Sequence, residues 1–438
     1  MKNNISRTIL IGADLAAIFL SISMAYYIAL QLDFAVESAT TGVTQYIDKL
    51  LVYIVISAVF FYEGLYTKRY DFWHESRLVI KSLGLAFLIV MSYLALLKNT
   101  SQYSNVVIIT AFLMMTFLIP FTKKILKTAL YKIGLWYQEA KVYSNDEFIT
   151  KEIFQNHYMG YVEADNENAK TVFINSKSME LDELQKLIDY EIRRRKEVVF
   201  IPLVNEYNMT QSHIYELSNA RTNLVELHNR LKSKFRIALQ QVFNYLLAVL
   251  ILPILLPIIG VLAYLIKKES PGPIFFAHNR VGKNGKIVPT LKFRSMFQDA
   301  KERLEKLLEE DEEIRKEWET NFKLKNDPRV TKIGAILRKT SLDELPQIFN
   351  VLKGEMNFVG PRPVVQKELD LYYKEDAEYY HMVKPGITGL WQVSGRSDTD
   401  YDFRVATDKW YVRNWSLWLD IVILFKTVKV VLFREGAY

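Results

Sequence analysis

Four apolar runs, near Thr8 to Leu30, Tyr46 to Leu65, Leu78 to Leu97 and Val106 to Phe121, constrain this chain more than anything else in it. Each approaches the ~20 residues a helix needs to cross a bilayer. In hydrocarbon a single segment satisfies its own backbone only as a helix. The first run is too long, and too closely followed by others, to read as a cleaved signal peptide. Four crossings return the chain to its starting side. Lys2 and Arg7 precede the first run, Lys68, Arg69, Arg77 and Lys81 lie between the second and third, and Lys123, Lys124 and Lys127 follow the fourth. The other loops carry only Lys49 and Lys98. By the positive-inside rule the N-terminus and everything after Lys123 face the cytoplasm. No acid or base is read in mid-helix to mark an ion path, so anchoring, not transport, is the expectation.

From Ala140 to about Asn208 the chain turns soluble, with β-rich runs at Lys141 to Tyr143, Thr171 to Asn175 and Val198 to Val204 and a helical stretch, Leu181 to Arg195, between the last two. That alternation predicts a small α/β layer with a parallel sheet. Ser144-Asn145-Asp146 stands where a dinucleotide site needs a glycine-rich turn, which argues against such binding and leaves a regulatory or dimerising role. Met209 to Leu231 reads as a connecting helix. The next run, Val242 to Ile266, is long enough to span, but Pro253 and Pro257 lie in its middle, where each removes a backbone donor. Both flanks are basic: Arg230, Lys232, Lys234 and Arg236 before, Lys267 and Lys268 after. A helix broken at the prolines, dipping into the inner leaflet and returning, keeps both clusters on one side. A true span with its prolines repaired by neighbours is the alternative.

The net charge of +7 over 438 residues suits an anionic partner. With these apolar runs, that partner is a membrane surface or a phosphorylated substrate and not a nucleic acid. There is no cysteine, and the six histidines show no close ligand spacing, which excludes disulfides and argues against structural zinc.

The chemistry concentrates in Arg338 to Pro363, RKTSLDELPQIFNVLKGEMNFVGPRP. Asp343 and Glu344 follow the basic pair Arg338 and Lys339, and Arg362 is held between prolines in Gly360-Pro361-Arg362-Pro363. Adjacent helical residues point about 100° apart, so the two acids cannot duplicate each other. One can attack or accept a proton while the other holds a metal. A carboxylate nearing a pyrophosphate is repelled by roughly 4 kcal/mol per charge pair at 4 Å and effective dielectric ~20. Cations must offset that, which gives Arg338, Arg362 and a divalent metal their roles. Ser341-Leu342-Asp343-Glu344 also fits a capping box with Ser341 at the N-cap, and the two readings are compatible. Lys292 and Arg294 alternate with apolar residues, so on a strand both project from one face, as phosphate contacts or as solvated charges. Phe297 to Phe322 reads as a solvated helix. In Lys384 to Arg396, KPGITGLWQVSGR, Arg396 can meet a phosphate bidentately and Trp391 can support a base or sugar, or both simply complete a turn. Trp410 to Phe433 reads as an interfacial helix, with core burial as the alternative.

KTSLDELPQ, NVLKGEMNFVGPRP and KPGITGLWQVSGR, in that order, resemble the signature of the bacterial sugar transferases, the polyprenyl-phosphate hexose-1-phosphate transferases. The match runs from about Lys232 to the C-terminus. The arrangement ahead of it resembles the longer members, such as undecaprenyl-phosphate galactose or glucose phosphotransferases. The resemblance implies a membrane α+β protein with four N-terminal transmembrane helices over residues 1–135. It further implies a Rossmann-like α/β domain over 136–208, a connecting helix over 209–231, and a monotopic catalytic module over 232–438 with a re-entrant helix hairpin near 236–266. It implies transfer of hexose-1-phosphate from a UDP-sugar to undecaprenyl phosphate, giving UMP, as the first membrane step of exopolysaccharide, capsule or O-antigen synthesis. Asp343 would form an aspartyl phosphosugar, Glu344 would hold Mg²⁺, and Lys292, Arg338, Arg362 and Arg396 would grip phosphates. The location implied is the cytoplasmic face of the bacterial inner membrane. The sequence leaves the oligomeric state open, an even-numbered assembly such as a homodimer through the N-terminal part being one expectation. A non-catalytic scaffold or copolymerase for polysaccharide assembly is the contrasting expectation.

Overall fold

The computed structural model describes residues 2–32, 42–97, 103–164, 169–194, 197–202, 213–217, 222–226, 229–310, 315, 327–395 and 400–433. The chain divides into two compact units, Met1–Asn205 and Glu206–Tyr438.

The first unit begins with four apolar helices: α1 (Lys2–Gln31), α2 (Leu50–Tyr62), α3 (Phe72–Leu96) and α4 (Asn105–Lys132). α1 packs along α4, which packs on α3, and α3 on α2. Leu10, Ile18, Ile56, Phe60, Leu83 and Met115 fill the interior, yet Phe19, Met24, Leu88, Leu113 and Phe117 are exposed on the outer surface. Helices apolar on both faces belong in lipid. α1, α3 and α4 are long enough to cross; α2, at 13 residues, spans only ~20 Å. It stops early because Gly64 takes φ +75° while Leu65 N–H bonds the Phe60 carbonyl and Gly64 N–H that of Phe61, the glycine-terminated C-cap that ends many helices.

Two expectations fail at one end of this bundle. Lys123 and Lys127 are not loop charges but lie inside α4, fully buried, and Asp14 is an acid within α1. Lys123 Nζ is 2.9 Å from Asp14 and 3.6 Å from Glu75, and Lys127 bonds Glu75. The Lys127 ammonium also lies over the Trp136 and Tyr158 rings. Charge counting along a sequence cannot see partners on other helices. Removing one member of a buried pair costs about 3–5 kcal/mol. Lys127→Met should therefore lower the thermal midpoint of the detergent-solubilised chain by several degrees, and an unchanged midpoint would show the cluster to be energetically idle.

After the bundle, β1 (Gln138–Tyr143), α5 (Glu147–Gln155), β2 (Tyr161–Glu163), β3 (Thr171–Asn175), α6 (Leu181–Arg194) and β4 (Glu197–Ile201) build an all-parallel sheet of order β2-β1-β3-β4. At the first strand-to-helix turn Asp146 accepts the Phe148 and Ile149 N–H groups, and Ser144 accepts from Asp146 N and Asn175. The turn's donors are thus used by its own side chains.

The second unit opens differently from expectation. Where Met209 to Leu231 was to form a connecting helix, β5 (His213–Leu217) and β6 (Thr222–Glu226) pair antiparallel, with Ile214 opposite Val225; residues 203–212, 218–221 and 227–228 lie outside the described residues. Two short β-rich runs separated by turn-forming residue types in the sequence favour paired strands over a helix. α7 (Lys234–Glu269) is a 36-residue helix, ~54 Å at 1.5 Å per residue, that stays helical through Pro253 and Pro257, so the break expected at the prolines is not seen. Its first half buries Gln240, Asn244 and Ala248, and its second half Ile259 and Ile266. Between them Ile254, Leu256 and Ile258 are exposed. Gln240 donates to Asp420, Asn244 accepts from Phe358 N–H, and Glu269 accepts from the Lys332 and Ile333 N–H groups. Both ends of α7 are therefore tied to one body.

The hairpin β7 (Phe275–Val281) and β8 (Ile287–Phe293) follows. Then come α8 (Ala300–Glu310), α9 (Lys332–Thr340), a 3₁₀ turn at Leu342–Glu344, and α10 (Gln347–Leu352). Of the helix expected to run to Phe322, residues 311–314 and 316–326 lie outside the described residues. β9 (Asn357–Val359) pairs in parallel with β10 (Gly386–Thr388). The tail is two helices, α11 (Tyr401–Arg413) and α12 (Leu417–Phe433), not one. Tyr411, Trp415 and Ile423 are buried while Phe425, Val428 and Val431 are exposed, so core and surface readings each hold for one face.

Candidate functional site

α9 ends where Ser341 adopts φ 57°. This left-handed residue turns the chain sharply and throws Leu342–Glu344 into a 3₁₀ turn ahead of Pro346. Ser341 is therefore the C-cap of α9 and makes no side-chain cap bond, which overturns the capping-box reading. Both acids of the turn point instead at β8. Lys292 Nζ lies 2.7 Å from Glu344 Oε1 and 3.5 Å from Asp343 Oδ2. β8 is held there by fully buried Asn350, which accepts Leu291 N–H and donates to the Pro289 carbonyl.

Arg362 reaches the same Glu344 oxygen, Oε1, at 3.2 Å. Its loop is clamped by backbone: Gly360 N–H bonds Thr388 O and Gly386 N–H bonds Pro361 O. A Cβ on Gly386 would sit 2.1 Å from the Gly360 nitrogen, so this approach requires glycine. The Arg362 side chain is 40% exposed, which leaves room for an incoming anion.

The two neighbouring carboxylates are driven apart. Burial, opposed by Lys292 and reinforced by Glu344, raises the Asp343 pKa from its ordinary value. For Glu344 burial also works upward, but Arg362 and then Lys292 outweigh it and hold the group below its ordinary value. Carboxylates separated in this way can take different roles.

Of the residues singled out from sequence, Asp343, Glu344, Lys292 and Arg362 meet in one cluster. Arg338 bonds Ser295 Oγ at 2.9 Å and lies near enough to Asp343 to lower its pKa. Arg396 lies outside the described residues. Trp391 carries the Arg404 guanidinium 4.8 Å above its ring. Arg294 is a structural residue, buried and bonded to the Ser270 and Pro271 carbonyls, because β8 ends at Phe293. Two basic residues escaped sequence reasoning. Phe276 is opposite Lys292 in the hairpin, so His278 and Arg280, two and four residues on, share the Lys292 face. Burial, then Arg280 and Lys292, lower the His278 pKa, which favours its neutral ring. The period-two spacing of His278, Arg280 and the paired lysine was the available signal.

Among the described residues no three His, Asp or Glu side chains cluster as a ready-made metal cage. Mg²⁺ does not require one: it keeps several waters and takes one or two carboxylates plus substrate phosphate oxygens. Glu344, held ionised, with both of its cation contacts on the same oxygen, Oε1, is a donor set that fits.

Residues 235–434 match the family described as bacterial sugar transferase. The chain is 37% identical to an undecaprenyl-phosphate galactose phosphotransferase of Salmonella typhimurium, over 85% of this chain and 84% of that one. It is 35% identical to a UDP-galactose-lipid carrier transferase of Erwinia amylovora, over 96% and 95%. It is 36% identical to a UDP-glucose:undecaprenyl-phosphate glucose-1-phosphate transferase of Escherichia coli, over 65% and 60%.

Proposed function

The chain belongs to the bacterial sugar transferase family, and on that premise we propose that it moves a hexose-1-phosphate from a UDP-sugar to undecaprenyl phosphate, releasing UMP. It is a membrane enzyme of the phosphotransferase class. The observation that carries the reading is the Lys292 ammonium set between Asp343 and Glu344, with Arg362 also on Glu344. Adjacent acids thereby stand ready beside cations suited to a diphosphate.

Asp343 attacks the sugar-bearing phosphorus. The bond from that phosphorus to the bridging oxygen breaks, and UMP departs with the oxygen and its electron pair, leaving an aspartyl phosphosugar. An oxygen of the lipid phosphate then attacks the same phosphorus, and the Asp343 carboxylate leaves. Lys292, Arg338, Arg362 and Arg396 hold the phosphates. Mg²⁺, when bound at Glu344, supplies charge neutralisation for the diphosphate. Glu344→Gln should raise the Mg²⁺ concentration giving half-maximal rate by about tenfold or more, and an unchanged metal titration would remove Glu344 from that role.

The proposed setting is the cytoplasmic face of the bacterial inner membrane. Supporting a re-entrant α7 are its two basic flanks and the attachment of both ends to one body around an exposed apolar middle. The parallel order β2-β1-β3-β4 supports a Rossmann-like domain, to which a homodimerising or regulatory role is assigned. UMP release by the purified full chain from a panel of UDP-sugars, with undecaprenyl phosphate present, tests the function. Release with one sugar supports it and identifies the hexose; none with any sugar leaves a non-catalytic scaffold.

A further inference from the structure

We propose that Glu368 is a positioning residue that holds Arg280 as a further anion-gripping cation at the Asp343–Glu344 site; this rests on the transferase reading, the anion being the diphosphate of the nucleotide sugar. Arg280 has the place for the task. It shares a face of the β7–β8 hairpin with Lys292, and the next residue, Val281, bridges to Val364 with its N–H on the Val364 carbonyl. Arg280 therefore sits where the hairpin meets the Arg362 loop, and it is among the cations that hold Glu344 ionised.

An arginine there carries a hazard. Glu344 lies close enough to feel its charge, and a guanidinium held by nothing else would be drawn onto that carboxylate, covering the oxygens meant for metal. Glu368 competes for it. Its Oε1 accepts Arg280 Nη1 at 3.1 Å and the Val365 N–H at 3.2 Å. Its Oε2 accepts the Tyr401 hydroxyl and faces Arg404 Nη1 at 3.8 Å. Three donors and the facing Arg404 charge converge on one carboxylate and fix its orientation, and the Val365 bond ties it to the residues following Pro363. Both partners remain partly exposed, Arg280 at 21% and Glu368 at 28%, so the pair borders solvent, unlike a sealed structural bridge.

The full chain in detergent, as Arg280→Met, Glu368→Gln and the double variant, tests this as a thermodynamic cycle. A hydrogen-bonded charge in such a place is worth about 10- to 100-fold in affinity, so each single variant should lose that much kcat/KM for the nucleotide sugar. The double variant should be no worse than Arg280→Met alone. Glu368→Asp, keeping the charge, should restore part of the loss. Losses that multiply in the double variant would show that Glu368 acts independently of Arg280 and overturn the inference, as would a wild-type rate in Arg280→Met; the transferase reading survives either result. If the wild-type chain turns over no nucleotide sugar, that reading falls, and the same cycle run on Mg²⁺-dependent UMP binding still decides whether the two positions are coupled.

Discussion

Asp343→Asn is expected to lose turnover by about 10⁴-fold or more, the scale seen when a covalent nucleophile is removed. The amide matches the carboxylate in size and still accepts a hydrogen bond from Lys292, so the 3₁₀ turn and its neighbours have no reason to move. What disappears is the anionic oxygen that bonds to phosphorus. Because one negative charge is also lost beside the incoming diphosphate, KM for the nucleotide sugar should stay level or fall while kcat collapses. That split separates a missing nucleophile from a damaged binding site. With lipid phosphate withheld, wild-type enzyme should retain label from the sugar phosphate through denaturation, and Asp343→Asn should retain none. A variant turning over near the normal rate, or an unlabelled wild type, would mean direct attack by the lipid phosphate and no aspartyl intermediate.

The parts of this site that were legible in the sequence are those set by local spacing. Asp343 and Glu344 are chain neighbours, Arg362 is fenced by prolines, and Lys292 falls on the strand period, so each could be named before any contact was known. Ser341 shows where local pattern misleads. Ser-x-x-Glu is the same string whether the serine begins a helix or ends one, and only its left-handed φ of 57° decides. Lys127 and Glu75, or Arg280 and Glu368, are pairs across the fold, and nothing in the flanking residues of either partner announces the other. The same limit applies to α7: its prolines and basic flanks are visible, but its anchoring through Gln240 to Asp420 depends on a contact between distant segments. Burial, the largest influence, raises the Asp420 pKa to about 7 against donors from Tyr411, Trp415 and Gln240, so this anchor too is a product of the fold alone.

Lys292→Met should cut kcat/KM by about 10²- to 10³-fold, as loss of one preorganised electrostatic contact does elsewhere, and should also move the acid limb of the pH profile upward. The second effect identifies the lysine's role. Asp343 must be ionised to attack. Burial raises its pKa, Glu344 beside it adds to the rise, and Lys292 with Arg338 works the other way. Taking away the ammonium leaves two desolvated carboxylates side by side, and like charges so placed cannot both ionise easily. Asp343 then keeps its proton to higher pH, so activity is lost first on the acid side and partly recovered as pH rises. Lys292→Arg, which preserves the charge, should leave the limb near its wild-type position. If Lys292 served only to grip the diphosphate, Lys292→Met would raise KM evenly across pH with the limb unmoved. That outcome would transfer the task of keeping the nucleophile ionised to Arg338, the remaining cation facing Asp343.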